Sequence, residues 1–448
     1  MIPPKPVARA GRVGLLAHAR AFRDDILSAQ PARLYRAWMA EFRTPFFRSY
    51  LMNDPDLVDL ILKDRPDDFP KSGRVAEGLR PLLGESVFLT NGATWRRQRR
   101  IIDPAFGHGR LREAFPAMKD AADAMVERLG DGPVEIEEAA SFAAADVIFR
   151  TLFSVPIEDA LARRTFAAFR AYQRSSPILN LAALVPLPRW VPRPRARATR
   201  QAAREIRAAI AALVARRAAQ IDDGTAPDDL ATRIMTTPDP ETGARFTPAE
   251  MVDQVAIFFL AGHETSASTL AWAAYLLATH PEAQDRVAAE GARDWDATGL
   301  GDLARLPFTR DVLRETLRLY PPVPMMVRET TRPETFRGRA APKGAQCVLS
   351  PWHLHRHERL WSDPDAFDPG RWSRGEGRES ARRAYLPFSA GPRVCPGAGF
   401  AMAEGVLLLA RLAAAFEIAP AGPAPVPVAH LTVRARHGIH LALRRREA

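Results

Sequence analysis

Residues 388–397 read Phe388-Ser389-Ala390-Gly391-Pro392-Arg393-Val394-Cys395-Pro396-Gly397, and they are the most informative stretch of this 448-residue chain. The Gly and Pro residues predict a tight loop, and the Ala- and Leu-rich sequence that follows predicts a helix over about 398–415. Cys395 would then lie at the N-terminus of that helix, where unpaired backbone N–H groups and the helix dipole stabilise a thiolate. Such a thiolate can be the axial ligand of a haem iron. The loop alone leaves a second interpretation open, that of an inert buried thiol.

The composition is that of a globular protein, with 47% apolar and 26% charged residues. The net charge is +11, and nearly all of the positive charge comes from Arg, since the chain has only five Lys. The Arg residues are spread along the chain, which argues against nucleic acid as a partner and favours an acidic protein. Two distant Cys do not make a disulfide framework, so a reducing compartment fits. Cys347 lies in a strand-like run and is expected to pack in the core.

Apolar spacing near 3.6 residues predicts helix over most of the chain, whereas residues 323–352 and 430–443 alternate as short strands do. The Pro-rich joints at 186–194 and 420–427 do not resemble domain linkers. The N-terminus lacks the apolar stretch of a leader, and no window approaches the length of a membrane span. The sequence therefore predicts a mainly helical, cytoplasmic protein with a minor sheet region and no membrane span.

A long helix is predicted to begin at residues 247–250, Thr-Pro-Ala-Glu, which have the pattern of a capping box with Pro at the first helical position. The apolar pattern continues to Ala278, and Pro281 ends it. Residues 261–266, in the middle, read Ala-Gly-His-Glu-Thr-Ser. A Thr hydroxyl can bond the carbonyl oxygen four residues back, and with a carboxylate beside it can relay protons. The alternative is a surface Glu and a helix Thr that are neighbours by chance.

These segments resemble the cytochrome P450 family. Residues 388–397 match its cysteine-loop pattern F-x-x-G-x-R-x-C-x-G, residues 261–266 match its pattern A-G-x-[DE]-T-[TS], and residues 315–318 match its E-x-x-R pattern. Five motifs occur in the family's order, from about residue 45 to the end. The resemblance implies a single triangular, mainly α domain over residues 1–448, with a smaller β-rich region and no fused reductase.

The resemblance implies a haem b (iron protoporphyrin IX) whose iron is bound by Cys395. It also implies that Thr265 and Glu264 are the catalytic pair that delivers protons during dioxygen activation, whereas His263 occupies a variable position and is expected to pack or to support the relay. Further residues are expected to contact the cofactor, several of them at its propionates: Trp95, Arg99, Ala261, Arg328, His355, Phe388, Arg393 and Gly397.

A buried charge network is expected to hold the loop that precedes Cys395. It consists of Glu315, Arg318 and Arg371, and its role is structural because removing one partner would strand a buried charge. Arg371 is the least well matched of the three, since Gly370 and Trp372 stand where the family has an acid and a Phe. Without the resemblance, Glu315 and Arg318 would be interpreted as a surface salt bridge of little energetic value.

An apolar substrate pocket is expected beside the haem, although each of its residues fits a core position equally well. The stretch Pro177–Pro188 is expected to cover the entrance, which would suit a lipid-like substrate or one that arrives from a membrane through a peripheral contact. The expected pocket residues are Phe88, Ile257, Phe258, Ala261, Val323, Met325, Met326 and Val327.

The implied reaction is the insertion of one oxygen atom from dioxygen into a C–H or C=C bond of a small apolar substrate, by a monomeric monooxygenase. Electrons would come from a ferredoxin or flavodoxin with an NAD(P)H-dependent reductase. Such an acidic partner would dock on a basic face formed by Arg96, Arg97 and Arg100, unless these residues are simply solvated. Two alternatives stay open, a peroxide-driven or isomerising haem-thiolate enzyme and a haem-based gas sensor or carrier. Glu264 and Thr265 argue against the first, and the lack of a recognisable signalling or DNA-binding module argues against the second.

Overall fold

The computed structural model describes residues 2–9, 11, 14–44, 47–175, 197–429 and 431–447. The fold is mainly α with a smaller β-rich region, as the sequence predicts. The helices are α1 (Leu15–Asp24), α2 (Pro55–Asp59), α3 (Gly73–Leu83), α4 (Gly92–Ile102), α5 (His108–Arg128), α6 (Ile136–Phe153), α7 (Ala160–Ser175), α8 (Arg197–Asp222), α9 (Leu230–Thr236), α10 (Pro248–Ala278), α11 (Pro281–Gly291), α12 (Pro307–Leu319), α13 (Pro351–Leu354), α14 (Gly375–Ala384) and α15 (Ala398–Ala415). The strands are β1 (Met39–Arg43), β2 (Arg48–Met52), β3 (Gly132–Glu135), β4 (Met326–Glu329), β5 (Glu334–Phe336), β6 (Arg339–Ala341), β7 (Gln346–Leu349), β8 (Phe416–Pro420), β9 (Pro427–Ala429), β10 (Val433–Ala435) and β11 (His440–Arg445).

The long helix α10 lies in the largest hydrophobic core of the protein. Its predicted capping box is confirmed, because Thr247 Oγ1 accepts from the Glu250 N–H at 3.2 Å and the Glu250 carboxylate accepts from the Thr247 N–H at 2.8 Å. The helix packs against α6, α8, α12 and α15, so that most of its side chains are buried. The polar residues His263 and Glu264 in the middle of α10 therefore lie in the protein interior.

The β-rich region lies where the sequence predicts short strands. The four-stranded sheet has the order β1-β2-β7-β4, with β2 and β7 parallel and the other pairs antiparallel. Cys347 is fully buried in β7, as expected, and burial raises the pKa of its thiol to about 12. Strands β9 and β10 form a hairpin, and β3, β11 and β8 form a separate sheet. The stretch Pro177–Pro188, expected to cover the entrance, lies outside the described residues.

Helix α15 begins three residues after Cys395 and ends at Ala415, as predicted. Among the helices that the structure describes, α15 alone is long and apolar enough to cross a membrane by length and composition. This finding corrects the expectation that no window approaches such a length. The helix packs against α5, α10, α11 and α12, so its apolar composition is explained by its place in the core.

Candidate functional site

A cavity of about 630 Å³ lies where α10 passes the loop that precedes α15. This volume is within the range of small-molecule and cofactor sites. The expected pocket residues all line it, and so do Phe388, Gly397 and Cys395 of the loop and Glu264 and Thr265 of α10. The fold thus brings together, around one mostly apolar space, motifs that lie some 130 residues apart in the sequence.

The cysteine loop is held in a shape that only a glycine at position 391 permits. Gly391 has a φ of +66°, and a Cβ atom there would lie 1.9 Å from the Leu62 carbonyl oxygen. The Cys395 N–H donates to the Phe388 carbonyl oxygen at 2.9 Å, which closes the loop. A Cβ at Gly397 would meet no clash and would lie 3.9 Å from the Phe106 ring and 4.0 Å from Cys395 Sγ. The loop therefore presents the thiol to the cavity with room for a flat group beside it.

The thiol of Cys395 is accessible from the cavity, yet burial raises its pKa. The Gly397 N–H and the charge of Arg99 act in the opposite direction, but their effect is smaller. The N–H at the helix terminus therefore favours the thiolate, as expected, but in the chain alone burial outweighs this effect. A metal ion that binds sulfur would displace the proton, because metal ligation requires the thiolate.

A cluster of cations surrounds Trp95 at one side of the cavity. Three charged groups lie over its ring, with Arg393 at 4.9 Å, Lys71 at 5.6 Å and Arg99 at 6.0 Å from the centroid. Burial, followed by the charges of Arg328, Arg393 and Arg99, lowers the pKa of Lys71 to about 6. Burial also lowers the pKa of Arg328 to about 10.

This cation cluster suits a ligand that carries more than one negative charge. In the described part of the chain neither Lys71 nor Arg328 forms an ion pair, and the buried Nε of Arg328 has no hydrogen-bond partner. Burial disfavours the charged form of both side chains, and the two propionates of a haem would supply the negative charge that favours it again. The residues present therefore fit a haem, with Cys395 as the sulfur ligand.

Lys71 is a site residue that sequence reasoning missed. It precedes α3 in no recognisable motif, and an isolated bridge to Arg328 places it beside the propionate-binding candidates. Its ammonium donates to the Thr90 and Val87 carbonyl oxygens. Only the tertiary fold reveals its position.

The two residues of the expected relay both line the cavity, but neither donates into it. Thr265 Oγ1 donates to the Ala261 carbonyl oxygen at 2.5 Å, which is the back-bonding that the sequence predicts. Glu264 is buried, and its Oε2 accepts from Thr432 Oγ1 at 3.1 Å. Arg434 Nη2 lies 3.6 Å from the other carboxylate oxygen.

A second acid, Glu404 on α15, also lines the cavity and was missed from the sequence. Burial raises its pKa to about 8, although Ser266 Oγ donates to Oε2 at 3.1 Å. Burial thus favours the neutral form of Glu404. His263, in contrast, does not line the cavity. Its Nε2 lies 2.5 Å from Ser141 Oγ and burial lowers its pKa to about 3, so it packs as a neutral residue.

The structure brings the three residues of the expected charge network together. Arg318 donates from Nε and Nη2 to Glu315 at 3.0 and 2.8 Å, and Arg371 Nε donates to the same carboxylate at 3.0 Å. All three side chains are buried. The remaining guanidinium N–H groups donate to backbone carbonyl oxygens between 355 and 366. Gly370 and Trp372 do not displace Arg371 from the network.

His355 does not lie where a propionate contact requires it. It does not line the cavity, and both ring nitrogens bond the backbone, since Nδ1 lies 3.2 Å from the Arg318 oxygen and Nε2 accepts from the Leu386 N–H at 2.8 Å. Burial and the nearby Arg318 charge lower its pKa to about 3. We therefore correct its role: His355 connects the charge network to the cysteine loop.

The expected basic face on α4 does not form as a free cationic surface. Each of its three Arg has a carboxylate partner: Arg96–Asp67 at 2.8 Å, Arg97–Glu250 at 2.7 Å and Arg100–Asp239 at 2.6 Å. These ion pairs tie α4 to neighbouring segments and neutralise the charge that was expected to attract an acidic partner.

Comparisons with known proteins agree with the site. The family profile described as Cytochrome P450 matches residues 39–438. The chain is 34% identical to a cyclooctat-9-en-7-ol 5-monooxygenase of Streptomyces melanosporofaciens, over 92% of this chain and 89% of that protein. It is 32% identical to cytochrome P450 4A11 of Homo sapiens, over 88% of this chain and 79% of that protein.

Among solved structures, the cytochrome P450DA heme domain superposes with a TM-score of 0.82 at 25% identity, over 99% of this chain and 98% of that one. The chain belongs to the cytochrome P450 family and is an oxidoreductase of the monooxygenase type.

Proposed function

We propose that this enzyme binds haem b through Cys395 and hydroxylates or epoxidises an apolar organic substrate such as a lipid, terpenoid, steroid or aromatic compound. In balanced form, substrate, dioxygen, two electrons and two protons give the oxygenated product and water. The observation that carries the proposal is that Cys395 and the pair Glu264 and Thr265 line the same apolar cavity.

The residues that would hold the haem are the thiol of Cys395 and the cation cluster around Trp95. Phe388, Gly397 and Ala261 line the same space, and the small size of the last two leaves room for a flat ring system. When bound, the haem supplies the capacity to reduce dioxygen and to transfer one of its oxygen atoms. Lys71, Arg99, Arg328 and Arg393 would neutralise the propionates.

The protein itself contributes orientation, exclusion of water and protons. The apolar lining favours transfer of an apolar substrate out of water, and Met325 and Met326 give that lining some adaptability. Thr265 would pass a proton from its hydroxyl into the cavity, and Glu264 would replace that proton, once the hydrogen bonds of Thr265 to the Ala261 oxygen and of Thr432 to Glu264 have opened. The need for such a relay distinguishes a monooxygenase from peroxide-driven and isomerising enzymes and from gas carriers.

We further propose that the chain acts as one domain and a monomer in the cytoplasm and receives electrons from a ferredoxin or flavodoxin. The ion pairs on α4 give this partner no free cationic face there, so the docking energy has to come from another surface. Stopped-flow reduction by a bacterial ferredoxin at increasing ionic strength tests this point. A steep loss of rate with salt would show that attraction between exposed charges steers the encounter after all.

The decisive experiment uses spectra and products together. The reduced, carbon-monoxide-bound enzyme should show the thiolate-type spectrum, and Cys395→Ala should lose it. A screen of fatty acids, terpenoids, steroids and aromatics by haem spectral shift should identify the substrate class. Turnover of the best binder should require NAD(P)H, a ferredoxin and its reductase. A normal thiolate spectrum in Cys395→Ala, or turnover that needs peroxide and does not occur with NAD(P)H, ferredoxin and reductase, would contradict the proposal.

A further inference from the structure

The hairpin β9–β10 reaches α10 beside the relay residues. Thr432, directly before β10, donates to Glu264 Oε2 at 3.1 Å, and Arg434 Nη2 lies 3.6 Å from Oε1. The same strand is fastened to the same helix one turn further on, where Ser268 Oγ donates to the Val433 carbonyl oxygen at 2.5 Å. The Glu264 carboxylate is thus held by the hairpin.

The hairpin residues around Glu264 extend from the cavity to the protein surface. Leu431 and Thr432 line the cavity, whereas the Arg434 side chain is 39% exposed. Glu264 itself is 2% exposed. A molecule that fills the cavity can therefore touch Thr432, and water can reach Arg434 on the other side.

Both relay residues are engaged away from the cavity in this arrangement. The Thr265 hydroxyl donates to the Ala261 carbonyl oxygen, and the Glu264 carboxylate contacts Thr432 and Arg434. A relay in this state cannot deliver a proton until at least one of these contacts opens.

We propose that Thr432 and Arg434 form a latch that keeps Glu264 away from Thr265 until a substrate in the cavity displaces Thr432. The proposal rests on the monooxygenase function proposed above. On release, the Glu264 carboxylate takes a proton from water at Arg434 and gives it to the Thr265 hydroxyl, which passes its own proton into the cavity. This leaves the carboxylate free to take up the next proton from water. Thr432 and Arg434 are positioning residues that make proton delivery depend on substrate.

The latch predicts a specific defect when the Thr432 hydroxyl is removed. Thr432→Val keeps the shape of the side chain but cannot donate to Glu264, which weakens the latch. Substrate-free consumption of NAD(P)H with release of hydrogen peroxide should therefore rise at least about fivefold, which is the lower end of the range for coupling between two sites. Thr432→Ser should restore the wild-type rate. Ser268→Ala is the matched control, because it removes a bond between the same strand and the same helix without touching Glu264.

Thermal unfolding provides a readout independent of turnover. In the substrate-free holoenzyme, Thr432→Val and Glu264→Leu should shift the unfolding midpoint non-additively, since they remove the donor and the acceptor of one hydrogen bond. The second measurement uses saturating 4-phenylimidazole, which binds haem iron through nitrogen and fills an apolar cavity with its phenyl ring. Because this ligand should displace Thr432 from Glu264, the two shifts should then be additive.

The outcomes separate the latch from the function on which it rests. Additive midpoint shifts in the substrate-free enzyme, or peroxide release by Thr432→Val no greater than that by Ser268→Ala, would overturn the latch. If the wild-type enzyme forms no product from any compound of the screen, the proposed function fails instead. If the wild type forms product and Thr432→Val forms the same amount of product for each NAD(P)H consumed, the proposed function stands and the latch alone is refuted.

Discussion

Replacing Glu315 by Gln should destabilise the protein by about 3–5 kcal/mol, because it leaves two buried guanidinium groups without their counter-charge. Glu315 and Arg318 have 0% exposed side chains, and Arg371 has 3%. The carboxylate accepts three N–H groups from these two Arg and a fourth from the Asp368 backbone at 3.0 Å. Gln keeps the volume and one acceptor oxygen, so the measured loss reports mainly on the missing charge.

A loss of this size is a large part of the 5–15 kcal/mol that stabilises a typical domain. Urea unfolding followed by far-UV circular dichroism should therefore show a much lower midpoint, and less of the purified protein should give the thiolate-type carbon monoxide spectrum. Glu158→Gln is the matched control, since Glu158 pairs with Arg128 at the surface with 53% and 49% exposure and such pairs contribute less than about 1 kcal/mol. If Glu315→Gln and the control differ by less than about 1 kcal/mol, the network does not support the fold as argued.

Three further substitutions test the cation cluster, the buried acid and the cysteine loop. The pKa of Lys71 is about 6 in the folded chain, against an ordinary value of 10.5. Between these two pH values the unfolded chain binds more protons, so the stability of the haem-free protein should rise with pH. Lys71→Met should abolish this rise in the urea midpoint. The pKa of Glu404 is about 8, against an ordinary value of 4.5. Here the folded chain binds more protons, so its stability should fall as the pH increases from about 4.5 to 8. If the pH dependence of the urea midpoint is unchanged in Glu404→Gln, Glu404 is not the group that titrates. Gly391→Ala should lower the free energy of unfolding by about 1–3 kcal/mol, because the residue has a φ of +66° and a Cβ would lie 1.9 Å from the Leu62 oxygen. Gly301→Ala is the control and should leave the free energy of unfolding nearly unchanged, since no atom lies within 4 Å of a Cβ there.

The sequence predicts well those features that are fixed by residues close together in the chain. The cysteine loop, the capping box at 247–250 and the bounds of α10 and α15 depend on local backbone chemistry, and the structure has them where they were expected. The pairing of Glu315 with Arg318 follows from helical spacing. The alternation in 323–352 and 430–443 likewise indicates the strands that the structure contains.

Features that depend on distant segments could not be predicted in this way. Arg96, Arg97 and Arg100 form a basic cluster in the sequence, but their carboxylate partners come from the residues before α3 and from the segment around the start of α10. Lys71 and Glu404 have no motif, and their pKa values are shifted by burial that only the fold creates. The ion-pair partners of long side chains therefore depend on the tertiary fold and cannot be predicted from a local sequence pattern.

The position of His355 explains how a charge network outside the cavity can act on Cys395. The Arg318 guanidinium bonds the His355 carbonyl oxygen, and the imidazole lies between the Arg318 backbone oxygen and the Leu386 N–H. Leu386 is two residues before Phe388, whose carbonyl oxygen receives the Cys395 N–H. Because each contact is a buried hydrogen bond, a shift of the Arg318 backbone has few ways to relax except by moving the loop. A neutral imidazole can donate from Nδ1 and accept at Nε2 at the same time, which neither a carboxylate nor an ammonium or guanidinium group can do. The histidine therefore belongs with Glu315, Arg318 and Arg371 as part of the support that sets where the thiol meets the cavity.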